Sequence, residues 1–182
     1  MIYAFDPSDK AWPLMAFFYS LSQLLDMADG YAARALDQCS RFGASLDMVC
    51  DRASCAAIYM VLMQIYPGTF YSYCFLTCFF LDFGSHFLQF CSSALLKSDS
   101  HKGKNKRENV IVHYYYNVKW FFGMIVICAE ASSVTLLLLA RVPALRDSLF
   151  CKLLCAFFTL NLATKMIINV FQWQGASERF LQ

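Results

Sequence analysis

Long apolar runs separated by short polar turns set the plan of the chain. The first run covers residues 11–25 and continues as helix into a more polar stretch. The next covers about 47–66 and is closed by Pro67-Gly68, a pair that punctuates regular structure. A third covers about 69–96, and a polar, basic loop follows at 97–109. A fourth covers about 112–140, a turn with Pro143 occupies 141–148, and a fifth covers about 149–173 before a polar tail. Each run approaches or exceeds the roughly 20 helical residues needed to cross hydrocarbon. The pattern therefore predicts an all-α, multi-pass transmembrane helix bundle of about five spans. No internal repeat or low-complexity tract interrupts it.

Composition agrees. Of 182 residues, 59% are hydrophobic and 15% charged, whereas soluble domains carry about 25% charged residues. A net charge of +2 gives no electrostatic footprint for a nucleic acid polymer. Five of the nine cysteines (Cys74, Cys78, Cys128, Cys151 and Cys155) lie in apolar runs, where cysteine behaves as a small hydrophobe. Basic residues near the spans mark the cytosolic side. Arg34 and Arg41 flank one turn, and Lys97, Lys102, Lys104, Lys106 and Arg107 lie in the later loop, where they can face anionic lipid heads. The Pro67-Gly68 turn has none, and Arg141 with Arg146 is the exception. Five spans then place the N-terminus in the lumen and the C-terminus in the cytosol. Tyr114, Tyr115, Tyr116 and Trp120 fit an interfacial aromatic belt. His86, beside Asp82, reads as a helix-packing hydrogen bond.

The stretch 26–51 breaks the apolar pattern with chemistry. Carboxylates are costly in or near a bilayer, so their presence there points to function. At 100° per residue, Asp26, Asp29, Gly30 and Ala33 share one helix face, with Arg34 at its edge. Asp47 and Asp51 share a face of the next helix, with Gly43 one turn earlier. A short polar turn at 37–42 lets the two helices lie antiparallel, which gathers four carboxylates. Four anions in one place call for cations, and an all-oxygen ligand set favours Mg²⁺ or Mn²⁺ over zinc. Two such ions roughly 3.5–4 Å apart form a clamp for displacement at phosphorus. Gly30 and Ala33 leave room for a ligand, and Arg34 offers a forked donor to phosphate.

The spacing D-x2-D-G-x2-A-R-x8-G-x3-D-x3-D resembles the signature of the CDP-alcohol phosphatidyltransferase family, matched here at every fixed position. The flanks resemble the members that use inositol: Leu25-Asp26, residues 32–36, Arg41-Phe42-Gly43-Ala44, Leu46-Asp47-Met48, Asp51-Arg52, Tyr66-Pro67-Gly68 and Ser100-His101-Lys102. The likeness runs from about 24 to 102.

This resemblance implies one membrane domain over 1–182, built on six helices of which the first is missing here. It implies transfer of the phosphatidyl group from CDP-diacylglycerol to myo-inositol, with release of CMP. Asp26, Asp29, Asp47 and Asp51 would hold two Mg²⁺ or Mn²⁺ ions, and Asp51 would also act as the catalytic base. Gly30, Arg34 and Ser40 would contact CDP-diacylglycerol. A homodimer among membrane lipid in the endoplasmic reticulum, its site facing the cytosol, is implied as well.

Other readings stand beside this one. The acceptor could be glycerol phosphate, serine, choline or ethanolamine. The aspartates could form a structural ion-pair cluster with Arg34, Arg41 and Arg52. The chain could carry divalent cations, or be an inactive shortened subunit.

Overall fold

A computed structural model describes residues 12–99 and 117–181, and those residues are helical apart from short connections. The helices are α1 (Trp12–Ala35), α2 (Arg41–Ile65), α3 (Thr69–Asp99), α4 (Lys119–Arg141), α5 (Pro143–Asp147) and α6 (Leu149–Phe180). His101, Lys102, Lys104, Lys106, Arg107 and Tyr114 to Tyr116 lie outside the described residues.

Four described segments are long and apolar enough to cross a membrane: Arg41–Ile65, Thr69–Ala94, Trp120–Arg141 and Leu149–Phe180. They make the chain an all-α, multi-pass membrane protein. Their outward faces carry large apolar side chains such as Phe80, Ile127 and Leu160, which are 59%, 61% and 68% exposed. Lipid rather than water suits such surfaces.

The first predicted span does form a helix, α1, but it is not among the four. Ser20, Ser22, Gln23, Asp26 and Asp29 dilute its apolar content. Other boundaries differ from the pattern: α2 begins at Arg41, inside the predicted turn, and α3 runs on to Asp99, into the predicted basic loop. The turn after α4 contains the short helix α5, with Pro143 in its first turn, where a missing N–H costs nothing. The polar tail is helical to Phe180, supported by Gln174 Nε2 donating to Glu178 Oε1 at 3.0 Å, one turn on.

The chain divides into two compact units, Met1–Phe75 with Ser133–Lys152, and Leu76–Ser132 with Leu153–Gln182. In the first, α2 buries Cys55, Ile58, Tyr59 and Leu62, which recur at helical spacing. Tyr59 stacks on Phe75 at 6.1 Å, and Tyr66 meets Tyr71 at 5.8 Å, so α2 and the start of α3 run antiparallel. The reversal sits at Gly68, whose φ of 144° favours glycine. The Tyr66 hydroxyl donates to the Leu136 carbonyl at 2.9 Å.

In the second unit, Ala129 of α4 packs on Leu162 and Met166 of α6, beside Cys78 and Leu81 of α3, and Ile125 packs on Ile168. Within this apolar frame lies a polar network. Lys165 Nζ is 3.3 Å from Asp82 Oδ1 and 3.6 Å from Glu130 Oε1, so one ammonium joins three helices. Asn169 Nδ2 donates to the same Asp82 oxygen at 3.3 Å. His86 Nδ1 is 2.8 Å from the Asp82 carbonyl oxygen, a contact along α3. Gly84 packs closely on Trp173: a Cβ on Gly84 would lie 2.0 Å from Trp173 Cζ3.

Candidate active site

The site is built around the turn between α1 and α2. The Gln38 N–H donates to the Ala33 carbonyl at 2.8 Å across Asp37, which holds a left-handed φ of 53°. That 6→1 bond closes α1 in a Schellman ending, with an aspartate where glycine is usual. Two residues later Ser40 caps α2 from an extended conformation (φ −131°, ψ 157°). Its Oγ accepts the Gly43 N–H at 2.9 Å, satisfying one of the unpaired donors of a helix start. A Cβ on Gly43 would come within 3.1 Å of that oxygen, so the glycine leaves room for the cap.

These two caps set α1 against α2 beside a cavity of about 390 Å³, lined by every fixed position of the signature except Asp51. Asp26, Asp29, Gly30, Arg34, Ser40 and Asp47 all line it. Asp26, Asp47 and Asp51 gather more closely still, each offering a carboxylate oxygen within 4.8 Å of the others. Burial first, then the neighbouring charges of Asp51 and Asp47, push the Asp26 carboxyl up to about 7. Asp26 lies on α1, outside the four spans. Three carboxylates so close are self-repelling unless a proton or cation joins them, and an all-oxygen cluster suits Mg²⁺ or Mn²⁺. Asp29 lines the same cavity but stands outside the tight trio.

Arg34 folds back over its own helix: its Nη1 lies 3.4 Å from where a Gly30 Cβ would be. Among the described residues, neither Arg34 nor Arg41 forms an ion pair. The structural ion-pair reading is met only at Arg52, whose Nη2 is 3.2 Å from Asp51 Oδ2. The guanidinium at Arg34 therefore remains open to an anion in the cavity.

Gln38, Cys39 and Cys50 also line the cavity and were not singled out from the sequence. Gln38 and Cys39 fall in the unspecified spacer of the signature. The signal available was positional, since a turn that joins two ligand-bearing helices must itself border the site.

The family model for CDP-alcohol phosphatidyltransferases matches residues 1–142. Among relatives, "Probable CDP-diacylglycerol--inositol 3-phosphatidyltransferase 2" of Arabidopsis thaliana is 34% identical over 175 residues, covering 91% of this chain and 76% of its own length. "CDP-diacylglycerol--inositol 3-phosphatidyltransferase" of Homo sapiens is 44% identical over 104 residues, 54% of this chain and 46% of its own length. The Schizosaccharomyces pombe protein of the same name is 38% identical over 128 residues, 69% of this chain and 52% of its own. No solved structure matches. With a family model covering most of its length and a relative aligned almost end to end, the chain belongs to the CDP-alcohol phosphatidyltransferase family.

Proposed function

We propose that this chain transfers the phosphatidyl group of CDP-diacylglycerol to myo-inositol and releases CMP. The observation that carries the reading is the meeting of Asp26, Asp47 and Asp51 beside a cavity that Arg34 also lines. Family membership supplies the reaction class, and the names of the plant, human and yeast relatives supply the acceptor.

In this reading Asp26, Asp29, Asp47 and Asp51 hold two Mg²⁺ or Mn²⁺ ions. Bound there, the ions supply Lewis-acid charge to the pyrophosphate. Arg34 binds a phosphate through its forked donors, and Gly30 lies against its guanidinium at the cavity and contacts CDP-diacylglycerol. Ser40 keeps its hydroxyl hydrogen for substrate, because its oxygen already accepts the Gly43 N–H. Arg52 engages Asp51 Oδ2, and the Asp51 carboxylate takes the proton of the inositol hydroxyl. The hydroxyl oxygen bonds to the phosphorus that carries diacylglycerol, the bond from that phosphorus to CMP breaks, and CMP leaves with the electron pair. We read residues 1–182 as one catalytic membrane domain, acting as a homodimer in the endoplasmic reticulum with the site facing the cytosol. Arg34 and Arg41 at the turn support that orientation.

The test is transfer of labelled myo-inositol to CDP-diacylglycerol by purified protein in detergent, with Mg²⁺ or Mn²⁺, beside Asp51→Asn. Metal-dependent phosphatidylinositol, reduced at least about a hundredfold in the variant, is expected. Mg²⁺ should also raise the melting temperature of the wild type, as any ligand of the native state does, and should not do so for Asp47→Asn. Incorporation of serine or glycerol phosphate in place of inositol would overturn the acceptor assignment.

A further inference from the structure

The cavity has partners for the charged parts of a CDP-linked lipid, carboxylates for cations and Arg34 for phosphate. A nucleotide also carries an uncharged, planar base with several donors and acceptors. Few lining groups can read it. Ser40 has one hydroxyl, whose oxygen is occupied by Gly43. Cys39 and Cys50 offer only weak sulfur donors. Gln38 alone among the lining residues brings a carboxamide, two donors and an acceptor in one plane. Its backbone is fixed by the 2.8 Å bond to Ala33, so the residue is held at the cavity independently of its side chain. Among the described residues its carboxamide takes part in no hydrogen bond. It stands four residues beyond Arg34, and the base belongs to the molecule whose phosphate Arg34 would hold.

We propose that Gln38 is a substrate-binding residue that hydrogen-bonds the cytosine base, Oε1 accepting from the exocyclic amine and Nε2 donating to the ring nitrogen or carbonyl oxygen. The assignment rests on the function proposed above.

The experiment measures binding of labelled CMP and of ribose 5-phosphate, a probe without a base, to the purified full chain with Mg²⁺. Wild type is compared with Gln38→Met, which keeps side-chain length, and with Gln38→Ala. Both variants should bind CMP roughly tenfold more weakly, as expected for loss of a hydrogen bond that leaves a partner unsatisfied. Ribose 5-phosphate binding, the KM for inositol and the melting temperature should stay at wild-type values. Unchanged CMP binding in variants of a CMP-binding wild type would overturn this assignment alone. Equal weakening of both probes, or a shift confined to the inositol KM, would overturn it too. A folded wild type that binds no CMP would overturn this assignment together with the function beneath it.

Discussion

Lys165 Nζ stands 3.3 Å from Asp82 Oδ1, with both side chains almost wholly buried on helices 83 positions apart in the chain. Such a pair is weak evidence of net stabilisation, because removing two charges from water is expensive. Taking away one partner is another matter, since it strands the other. Lys165→Met should lower stability by about 3–5 kcal/mol, read as a fall in melting temperature in detergent. Asp82→Asn combined with Lys165→Met should recover part of that loss. A single variant that melts like the wild type would show the pair to be incidental.

Trp173 fills the space that Gly84 leaves by having no side chain. A methyl group there would meet Trp173 Cζ3 at 2.0 Å, so the rigid indole must shift as a whole. Gly84→Ala should therefore cost about 1–3 kcal/mol, the usual range for overpacking. Trp173→Leu in the same chain should relieve the clash, so the double variant should melt above the single one.

Removing the α2 cap should loosen the site from its edge. Ser40→Ala deletes the acceptor for the Gly43 N–H and should cost about 1 kcal/mol. Ser40→Thr retains a capping oxygen and should stay close to wild type. A melting series over the three proteins separates the cap from any contact with substrate, since only the cap affects stability without ligand.

The local half of this molecule was legible and the distant half was not. Helical geometry alone places Asp26 with Asp29, and Asp47 with Asp51; in the fold Asp26, Asp47 and Asp51 meet, while Asp29 lines the neighbouring cavity outside that trio. The spans 47–66 and 149–173 were found because long apolar runs have few alternatives. The apolar beginning of α1 is read correctly as helix, and the polar residues that follow keep it out of the four segments, among the described residues, that are long and apolar enough to cross a membrane. The meeting of Asp82, Glu130 and Lys165 had no signal, since no periodicity connects residues that far apart. Gln38 lines the cavity without a signal of its own, because a spacer position in the signature carries no stated residue type.

Helix α6 buries Asn161, Lys165, Asn169 and Gln172 along with its apolar residues. A segment with an ammonium at its middle enters lipid poorly when alone. Its partners, Asp82 and Glu130, precede it in the chain. During synthesis they leave the ribosome first, so α6 arrives where counter-charges already wait. The order of residues along the chain thus doubles as an order of assembly, in which the polar face of α6 meets protein while its apolar face meets lipid.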